Sequence, residues 1–450
     1  MGSMRFIRYL SVLCLLLSLS PAAAETALSL PEGVTPPPAE IEGRLKELLG
    51  QAEKYRGLAA RQPVPSGVIG EQALQGKMAE ALREDLPVEE MKALEVSLKA
   101  FGFIPETMEL ASYYPKLLTS QVAGYYDPVR RYLAIVEREG GLLGKGAGAE
   151  EQRDAEDLVL VHELVHALQD QHFDLRKFAS ADPMSDGATA RAALVEGDAT
   201  LAMTSYASGG KVEELPGVAE AMERWMSDSG RVAASMPDMP GGEELARAPA
   251  FLREGLLFGY LRGFIFSLDV KKRGGQQLLD YAFSTDPPRS SEQILHPEKW
   301  HGRRDDPVVL VWPDLSQALA GYGKSAEGEL GEASVGILLR EGMADDAKAT
   351  AAAAGWGGDR FAVYEKEGRR VLLWLTEWDS EADARELEAG MKRLAGDWTV
   401  DTLAPRRVLV TRGRLDGEER KAVRAALSKV EAKRPENRAI DLAGFTKAGR

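Results

Sequence analysis

Residues 159–170 have the sequence Val-Leu-Val-His-Glu-Leu-Val-His-Ala-Leu-Gln-Asp. The two histidines, His162 and His166, are four residues apart, so on an α-helix they lie on the same side, one turn apart. Both imidazoles can therefore bind one metal ion without distortion of the backbone. Glu163 points about 100° further round the helix, where its carboxylate can contact a water molecule at that metal. This stretch predicts a catalytic zinc helix, with one Zn²⁺ per chain.

The rarity of histidine strengthens this interpretation. The chain has only five histidines, so a chance His-Glu-x-x-His is uncommon. The competing interpretation is a buried helix whose histidines have other partners. Two histidines and a glutamate on an otherwise apolar helix are costly to bury without a metal or such partners, which favours the zinc site.

A third metal ligand is expected on a second helix. Catalytic zinc usually takes three protein ligands and leaves one position open. Glu196 follows His166 by thirty residues, on a predicted helix over 188–206, and the apolar residues around it indicate burial. The alternatives are that Glu196 is a solvated helix residue, or that His172 is the third ligand. His172 lies six residues past His166 and well round the helix, which favours an exposed or capping role.

The motif at 162–166 together with Glu196 resembles the gluzincins, the HExxH zinc metallopeptidases that include the thermolysin-like enzymes. The resemblance covers the two metal-bearing helices, roughly a tenth of the chain. It implies that His162, His166 and Glu196 bind zinc and that Glu163 is the catalytic general base. It also implies a mainly helical, zincin-like metallopeptidase domain with a small edge-strand sheet.

Gluzincins hold an edge strand above the metal, and the stretch 124–136 is a candidate for it. Asp127-Pro128 is a turn signal between aromatic and β-branched flanks, which predicts a β-hairpin. Gly124, Tyr125 and Tyr126 are then candidate substrate-binding residues, since their backbone could pair with an extended peptide. A purely structural hairpin is the alternative.

The pattern departs from the thermolysin-like enzymes at Thr200, where those enzymes carry an aspartate. Asp170 and Asp198 are the nearest candidates to orient a ligand histidine through its second ring nitrogen. Helical spacing favours Asp170, which follows His166 by one turn. The alternative for Asp170 is a solvated carboxylate.

A peptidase also needs a hydrogen-bond donor that stabilises the oxyanion. His296 is the first candidate, because it follows a polar turn and because the similar enzymes often use a downstream histidine or tyrosine. The alternative is that His296 caps a helix end beside Pro297. The rival donors are Tyr126, Tyr206, Tyr260 and His301.

The N-terminus predicts export. Arg5 and Arg8 precede an apolar run and a small-residue site, so residues 1–24 are predicted to be a signal peptide, and 25–40 a proline-rich linker. The single cysteine, Cys14, lies within the signal, so the mature protein is expected to lack disulfides. The net charge of −14 argues against nucleic acid as a partner. No later segment is long enough for an integral membrane span.

The pattern of helix-like and strand-like segments divides the remaining chain into three predicted regions. Residues 41–110 are an N-terminal helical region, and 111–304 the zinc metallopeptidase domain. Residues 305–450 alternate strand-like and helical patterns, which predicts a smaller α+β domain with an antiparallel sheet and helices on one face. The fold class is therefore α+β.

These features together favour an exported, periplasmic or extracellular zinc metallopeptidase that acts on peptides or proteins. The alternative is a non-catalytic cell-envelope protein with a structural or decayed zinc site, in which the C-terminal domain binds a partner. The intact Glu163 and the open fourth metal position favour the enzyme.

Overall fold

The computed structural model describes residues 30–137, 148–179, 184–227, 242–343, 345–436 and 439–446. The predicted signal peptide and the start of the predicted linker lie outside the described residues. The helices are α1 (Ala39–Arg56), α2 (Glu71–Asp85), α3 (Val88–Phe101), α4 (Leu110–Gln121), α5 (Ala149–Phe173), α6 (Leu175–Ala179), α7 (Asp186–Ala207), α8 (Val218–Ser227), α9 (Gly242–Arg247), α10 (Ala250–Ser284), α11 (Ser291–Leu295), α12 (Glu298–His301), α13 (Gly331–Arg340), α14 (Asp346–Ala353), α15 (Glu381–Met391), α16 (Gly417–Leu427) and α17 (Leu442–Thr446). The strands are β1 (Ser66–Gly70), β2 (Gly124–Asp127), β3 (Tyr132–Glu137), β4 (Val309–Leu310), β5 (Gly323–Gly328), β6 (Trp356–Lys366), β7 (Arg369–Trp378), β8 (Trp398–Ala404), β9 (Arg407–Arg412) and β10 (Ala432–Lys433). The predicted α+β class is confirmed.

Helix α5 carries the quoted motif near its centre. Glu150 and Glu151 occupy its first turn, where the positive end of the helix dipole favours negative charge. The helix ends at Phe173 and is followed by Asp174, whose φ of 53° is left-handed. Every residue from Leu158 to Asp170 is buried. A helix buried all round must be surrounded by other elements, and here these are α1, α7 and the β2–β3 hairpin.

Helices α7 and α10 pack so closely that their backbones are in contact. A Cβ atom on Gly263 would lie 1.9 Å from the carbonyl oxygen of Ala193, and one on Gly197 would lie 2.0 Å from the carbonyl carbon of Gly263. A Cβ on Gly259 would meet the side chain of Glu196 at 3.3 Å. Only glycine permits this approach, which fixes the height and rotation of Glu196.

A three-stranded sheet lies beside α5, with strand order β1-β3-β2. The predicted hairpin is confirmed as the antiparallel pair β2–β3, with Tyr126 opposite Leu133. Strand β1, which pairs in parallel with β3, was not predicted. Leu133 packs with Leu160 and Leu164 of α5, so the sheet and the motif helix share one core.

The C-terminal sheet is antiparallel, with strand order β5-β6-β7-β9-β8. The predicted antiparallel sheet is confirmed, but the prediction of helices on one face is wrong. Trp374 packs on the side of α3, α13 and α15, whereas Leu373 and Leu375 face the opposite side and α16. Both faces are buried because alternate β7 residues are apolar on both sides.

The hydrophobic core crosses the predicted domain boundaries. Phe101, in the predicted region 41–110, packs edge-on against Trp374 of the C-terminal sheet, with ring centroids 5.7 Å apart. Leu98 and Phe361 belong to the same core. The first helices are therefore divided between two packing units: α1 contacts α5 and α7, and α3 contacts the C-terminal sheet.

Helix α10 is the longest described helix and bends at Gly274-Gly275, where Gly275 has a φ of 65°. The sequence predicted a helix over 251–270 and a second helix after these glycines. Among the described helices, none is both long enough and apolar enough to cross a membrane.

The contact between α7 and α10 makes a direct prediction. Gly263→Ala should lower the free energy of unfolding by about 1–3 kcal/mol or more, because the added methyl meets backbone atoms that cannot move independently. Urea denaturation measures the change. Gly255→Ala is the matched control: a Cβ there meets nothing within 4 Å, so helix propensity should raise stability by about 0.5–1 kcal/mol. Equal stability of the Gly263→Ala variant and wild type would contradict the packing argument.

Candidate metal centre

Three potential metal ligands converge where α5 meets α7. The Nε2 atoms of His162 and His166 are 2.9 Å apart. The Oε2 atom of Glu196 lies 3.1 Å from Nε2 of His162 and 3.5 Å from Nε2 of His166. The side chains are 1–7% exposed. The sequence placed these residues on two helices, and the structure brings their donor atoms together.

The donor set fits zinc in both chemistry and spacing. Two imidazole nitrogens and one carboxylate oxygen are common ligands of catalytic zinc. Tetrahedral zinc with ligands at 2.0–2.1 Å requires ligand atoms about 3.3 Å apart. The observed separations of 2.9, 3.1 and 3.5 Å bracket that value. These three side chains can therefore hold a zinc ion with small adjustments.

The ring of His166 is oriented by Gln169, one turn further along α5. Nδ1 of His166 lies 2.8 Å from Oε1 of Gln169. The Gln169 amide nitrogen donates to the carbonyl oxygen of Val195 and to Asp198 Oδ2, at 3.1 and 2.8 Å, which leaves the amide oxygen to accept from His166. With its proton on Nδ1, His166 presents the Nε2 lone pair to the metal.

The ion pair between Arg56 and Asp198 is buried, and Asp198 also accepts a hydrogen bond from Gln169. Nε of Arg56, at the end of α1, donates to Asp198 Oδ2, and both side chains are only 1% exposed. Arg56 also donates to Asp280 of α10 at 2.8 Å. Removal of one member of a buried pair leaves an uncompensated charge. Arg56 therefore joins α1, α7 and α10 next to Gln169.

The three ligands strongly perturb one another's pKa. Burial lowers the pKa of His162. For His166, burial also disfavours the charge, but the Glu196 carboxylate outweighs it and raises the pKa to about 9. Burial alone would raise the pKa of Glu196, whereas the two histidines lower it to about 2. Without a metal, a negative carboxylate thus stabilises a positive His166, and a cation bound among the ligands would replace that proton.

Glu163 is fixed by the hairpin. The backbone N–H of Tyr126 donates to Oε2 of Glu163 at 2.7 Å. Gly124 lies against the same side chain, since a Cβ there would be 3.7 Å from Cγ of Glu163. Glu163 itself is 1% exposed. Strand β2 therefore holds the carboxylate that follows the first histidine.

The predicted substrate-binding residues are placed differently from the expectation. Gly124, Tyr125 and Tyr126 are all buried. The hydroxyl of Tyr125 is hydrogen-bonded to that of Tyr132, and the hydroxyl of Tyr126 donates to Asp170 at 3.0 Å. The outward N–H of Tyr126 is already used by Glu163. These contacts give the hairpin a supporting role in the structure, in place of the open edge that peptide pairing requires.

Of the two aspartates predicted to orient a histidine, Asp198 is linked to His166 through Gln169, and Asp170 is not. Asp170 accepts from the Tyr126 hydroxyl and from the backbone N–H of Leu175 at 3.0 Å, so it joins the hairpin to α5 and α6. Asp198 is the carboxylate connected to a ligand histidine, through Gln169. Helical spacing favoured Asp170 for orienting His166, but Asp170 is hydrogen-bonded to Tyr126 and Leu175 instead. That spacing gave the position of Asp170 but did not show which groups it would contact.

The other histidines and one rival tyrosine have partners away from the triad. Nε2 of His172 lies 2.8 Å from the Ala59 carbonyl oxygen, and Nε2 of His301 lies 2.7 Å from Asp269. Tyr206 packs edge-on against Tyr55. None of these contacts joins the triad.

His296, the first choice for the oxyanion donor, lies with Nε2 2.9 Å from Oε1 of Glu332, a buried residue of α13. Tyr260 of α10 lies beside one of the triad residues. Its ring stacks on that of His162, with centroids 5.8 Å apart and planes 27° from parallel. It is 5% exposed. The structure therefore favours Tyr260 over His296 as the group beside the metal ligands.

A cavity of about 380 Å³ is lined by Glu196 and Tyr260. Its other lining residues come mainly from α3, α4, α7, α10, α13 and α14. A small group could approach Glu196 through this cavity.

A second acidic group consists of Glu292, Asp305 and Asp379. Lys299 already occupies it, with Nζ 2.5 Å from Glu292 and 3.0 Å from Asp379. The ammonium group supplies the positive charge that a cation would supply, so this cluster is explained as an ion-pair network between α11, α12 and the β7 end.

Sequence reasoning missed Gln169, Arg56 and the glycines of α10. The role of Gln169 could have been predicted, because it lies one turn after His166 on the same helix. The spacing of Gly255, Gly259 and Gly263 by four residues is a known signal for close helix packing. Arg56 carried no local signal, since its partner Asp198 is 142 residues away.

Comparison with known proteins adds information only for the C-terminal part. Residues 317–432 match a domain family described as a domain of unknown function, DUF8575. This range covers the five-stranded sheet with α13–α16 and does not include His162, His166 or Glu196. No curated protein and no solved structure matches the chain. The metal centre is therefore interpreted from its own geometry.

The contacts of Gln169 predict a selective loss of metal affinity. Gln169→Met removes the acceptor for His166 Nδ1 at similar side-chain volume, so zinc affinity should fall about 10–100-fold. Competition with a chromogenic chelator measures this. His172→Ala on the same helix should keep wild-type affinity, because His172 bonds to Ala59 and not to the triad. Equal affinity losses in the two variants would contradict the assignment.

Proposed function

We propose that the protein is a zinc-dependent metallopeptidase, in which His162, His166 and Glu196 hold the metal and Glu163 is the general base. The observation that supports this most strongly is the convergence of three donor atoms, 2.9–3.5 Å apart, with a second glutamate, Glu163, on the helix that carries the two histidines. The three ligands leave room for a further one, as catalytic zinc requires. Bound zinc would supply Lewis acidity that polarises water and the substrate carbonyl.

Glu163 performs the proton transfers. Its carboxylate accepts a proton from the attacking water and delivers it to the leaving amine as the peptide bond breaks. The Tyr126 N–H holds one carboxylate oxygen at 2.7 Å, which keeps the side chain in one orientation during both transfers.

Tyr260 is the proposed oxyanion donor. Its ring stacks on His162, and the residue lines the cavity that reaches Glu196. A phenol hydroxyl donates a hydrogen bond to an oxygen that becomes negative in the transition state. His296 is the weaker choice, because its Nε2 is 2.9 Å from the Glu332 carboxylate.

The alternative, a binding protein with a structural zinc site, has one observation in its favour: the ligand side chains are only 1–7% exposed. Structural zinc sites, however, are closed by four protein ligands. Among the described residues, this group of potential ligands has three members. The number of ligands and the position of Glu163 favour catalysis.

The N-terminal pattern supports export, so we propose a periplasmic or extracellular enzyme that acts on peptide or protein substrates. The negative net charge of −14 supports the same proposal against nucleic acid.

The role of Glu163 predicts a separation of metal binding from activity. Glu163→Gln should abolish hydrolysis of casein while zinc content stays near one per chain, because the amide keeps the shape but cannot accept the proton. Activity and metal analysis on the same preparation measure both. The control is Glu150→Gln, the same change at an exposed site on the same helix, which should retain activity. A fully active Glu163→Gln variant would refute the mechanism.

Substitution of each of the two candidate oxyanion donors, Tyr260 and His296, should lower kcat to a different extent. Tyr260→Phe keeps the ring against His162 and removes only the hydroxyl, so kcat should fall about 10²–10³-fold with little change in KM or zinc content. His296→Asn should have the smaller effect on kcat. If His296→Asn shows the large loss and Tyr260→Phe does not, the assignment to Tyr260 is wrong.

A further inference from the structure

The C-terminal part of the chain is basic, although the protein as a whole is acidic. Residues 398–434, which form β8, β9, α16 and β10, include ten lysines and arginines and five aspartates and glutamates. The whole chain has a net charge of −14, so the remainder is more acidic still. A negatively charged partner would attract this end of the molecule and repel the rest.

Three arginines share one buried carboxylate at the end of β7. Oε1 of Glu377 lies 2.7 Å from Nη2 of Arg434 and 3.8 Å from Nη2 of Arg406. Oε2 of Glu377 lies 3.0 Å from Nε of Arg407. The single negative charge of Glu377 offsets one of these three positive charges, so the cluster carries an excess of positive charge.

A second buried carboxylate, Asp401 of β8, holds two arginines of α16. Oδ1 of Asp401 accepts from Nη2 of Arg420 at 2.9 Å and from Nη1 of Arg424. The side chains of Arg406, Arg420, Arg424 and Arg434 remain 41–46% exposed. Buried acids thus fix the position of guanidinium groups whose exposed N–H groups can donate to a phosphate.

Both clusters lie on the same face of the C-terminal sheet. Glu377 is directly opposite Arg407 of β9, and Asp401 is directly opposite Leu409 of the same strand. Because Arg407 and Leu409 are two residues apart, their side chains and those of their partners point to one side. The two carboxylates are separated by two strand spacings and two residues, which is about 12 Å. This face therefore presents a spread array of positive charges.

Two exposed valines lie beside these arginines. Among the described residues, the large apolar side chains that are exposed are Val88, Leu215, Val309 and Val311. Val309 and Val311 are 52% and 41% exposed and flank the buried Leu310, so both point away from the core. Val309 lies opposite Lys433 in the β4–β10 pair, next to Arg434. Exposed apolar groups among basic side chains are typical of surfaces that bind at the boundary of a lipid bilayer.

We propose that this basic surface, formed by the five arginines, Lys433 and the two valines, binds the anionic headgroups of a membrane. The arginines donate to lipid phosphates, and Val309 and Val311 enter the boundary between headgroups and acyl chains. The acidic remainder of the protein is directed away from the membrane by the same field. This contact requires neither zinc nor hydrolysis, so it can be tested independently of the proposed peptidase function.

The first test measures binding of residues 25–450 to sedimented vesicles, because the predicted signal peptide would itself bind lipid. Vesicles of equal parts phosphatidylglycerol and phosphatidylcholine should bind at least about tenfold more tightly than phosphatidylcholine alone, and added salt should weaken the binding. The double variant Arg406→Gln, Arg434→Gln should weaken it about tenfold or more. Arg407 still pairs with Glu377 in that variant.

The matched control is the double variant Arg247→Gln, Arg385→Gln, which removes the same charge from exposed positions on α9 and α15. It should bind like wild type. Failure of wild type to bind the anionic vesicles, or equal losses in the two double variants, would overturn the proposal.

The second test separates a lipid surface from a soluble polyanion. Val309→Ser with Val311→Ser should weaken binding to the anionic vesicles about threefold or more, because the valines no longer enter the bilayer boundary. The control is Val88→Ser with Leu215→Ser, which should bind normally. Vesicle binding that the valine substitutions leave unchanged, together with equally tight binding of inorganic polyphosphate, would assign the surface to a soluble polyanion and overturn the lipid proposal.

Discussion

Two imidazoles and a carboxylate meet in the interior with only 1–7% of each side chain exposed, and the surrounding structure has to compensate for their burial. His166 is oriented by Gln169, which is held in turn by Asp198, and Asp198 is paired with Arg56. These hydrogen bonds and the ion pair give the buried imidazole of His166 and the buried carboxylate of Asp198 partners inside the protein. The packing of α1, α5, α7 and α10 depends on this network.

Close helix packing provides the second condition. Glu196 can reach the histidines only if α7 lies at a fixed height on α10, and the contact between Gly197 and Gly263 sets that height. A larger residue at either position would separate the helices and move the carboxylate. Two glycines of α10 thus position Glu196: Gly263 sets the height of α7, and Gly259 lies directly against the Glu196 side chain. Gly255, on the same helix, leaves the adjoining cavity open.

Local sequence patterns predicted the parts of the site that depend on helical spacing. The four-residue interval placed His162 and His166 on one face, and the apolar neighbours of Glu196 predicted its burial. The partners of these residues depended on tertiary contacts. Tyr126 was predicted to contact substrate, yet its N–H faces Glu163, because the sequence does not determine which side of a hairpin meets the helix. His296 pairs with Glu332, 36 residues away.

As with the site, the parts of the fold that depend on local sequence patterns were predicted and those that depend on tertiary contacts were not. The motif helix, the hairpin and the main strands of the C-terminal sheet followed from periodicity and turn signals. The short strand β1 and the edge strands β5 and β8 did not, since weakly apolar strands depend on their neighbours for stability. The division into regions at 110 and 305 also failed to anticipate that Phe101 packs on Trp374. Such contacts join residues that are distant in sequence and leave no periodic pattern.

X-ray absorption at the zinc edge would identify the metal's own ligands in the purified protein. A zinc site made of His162, His166 and Glu196 should give stoichiometric zinc with two imidazole nitrogens at about 2.0–2.1 Å and oxygen in the remaining positions. One imidazole signal should disappear in either the His162→Ala or the His166→Ala variant. A spectrum unchanged by both substitutions, or protein that takes up no zinc, would contradict it.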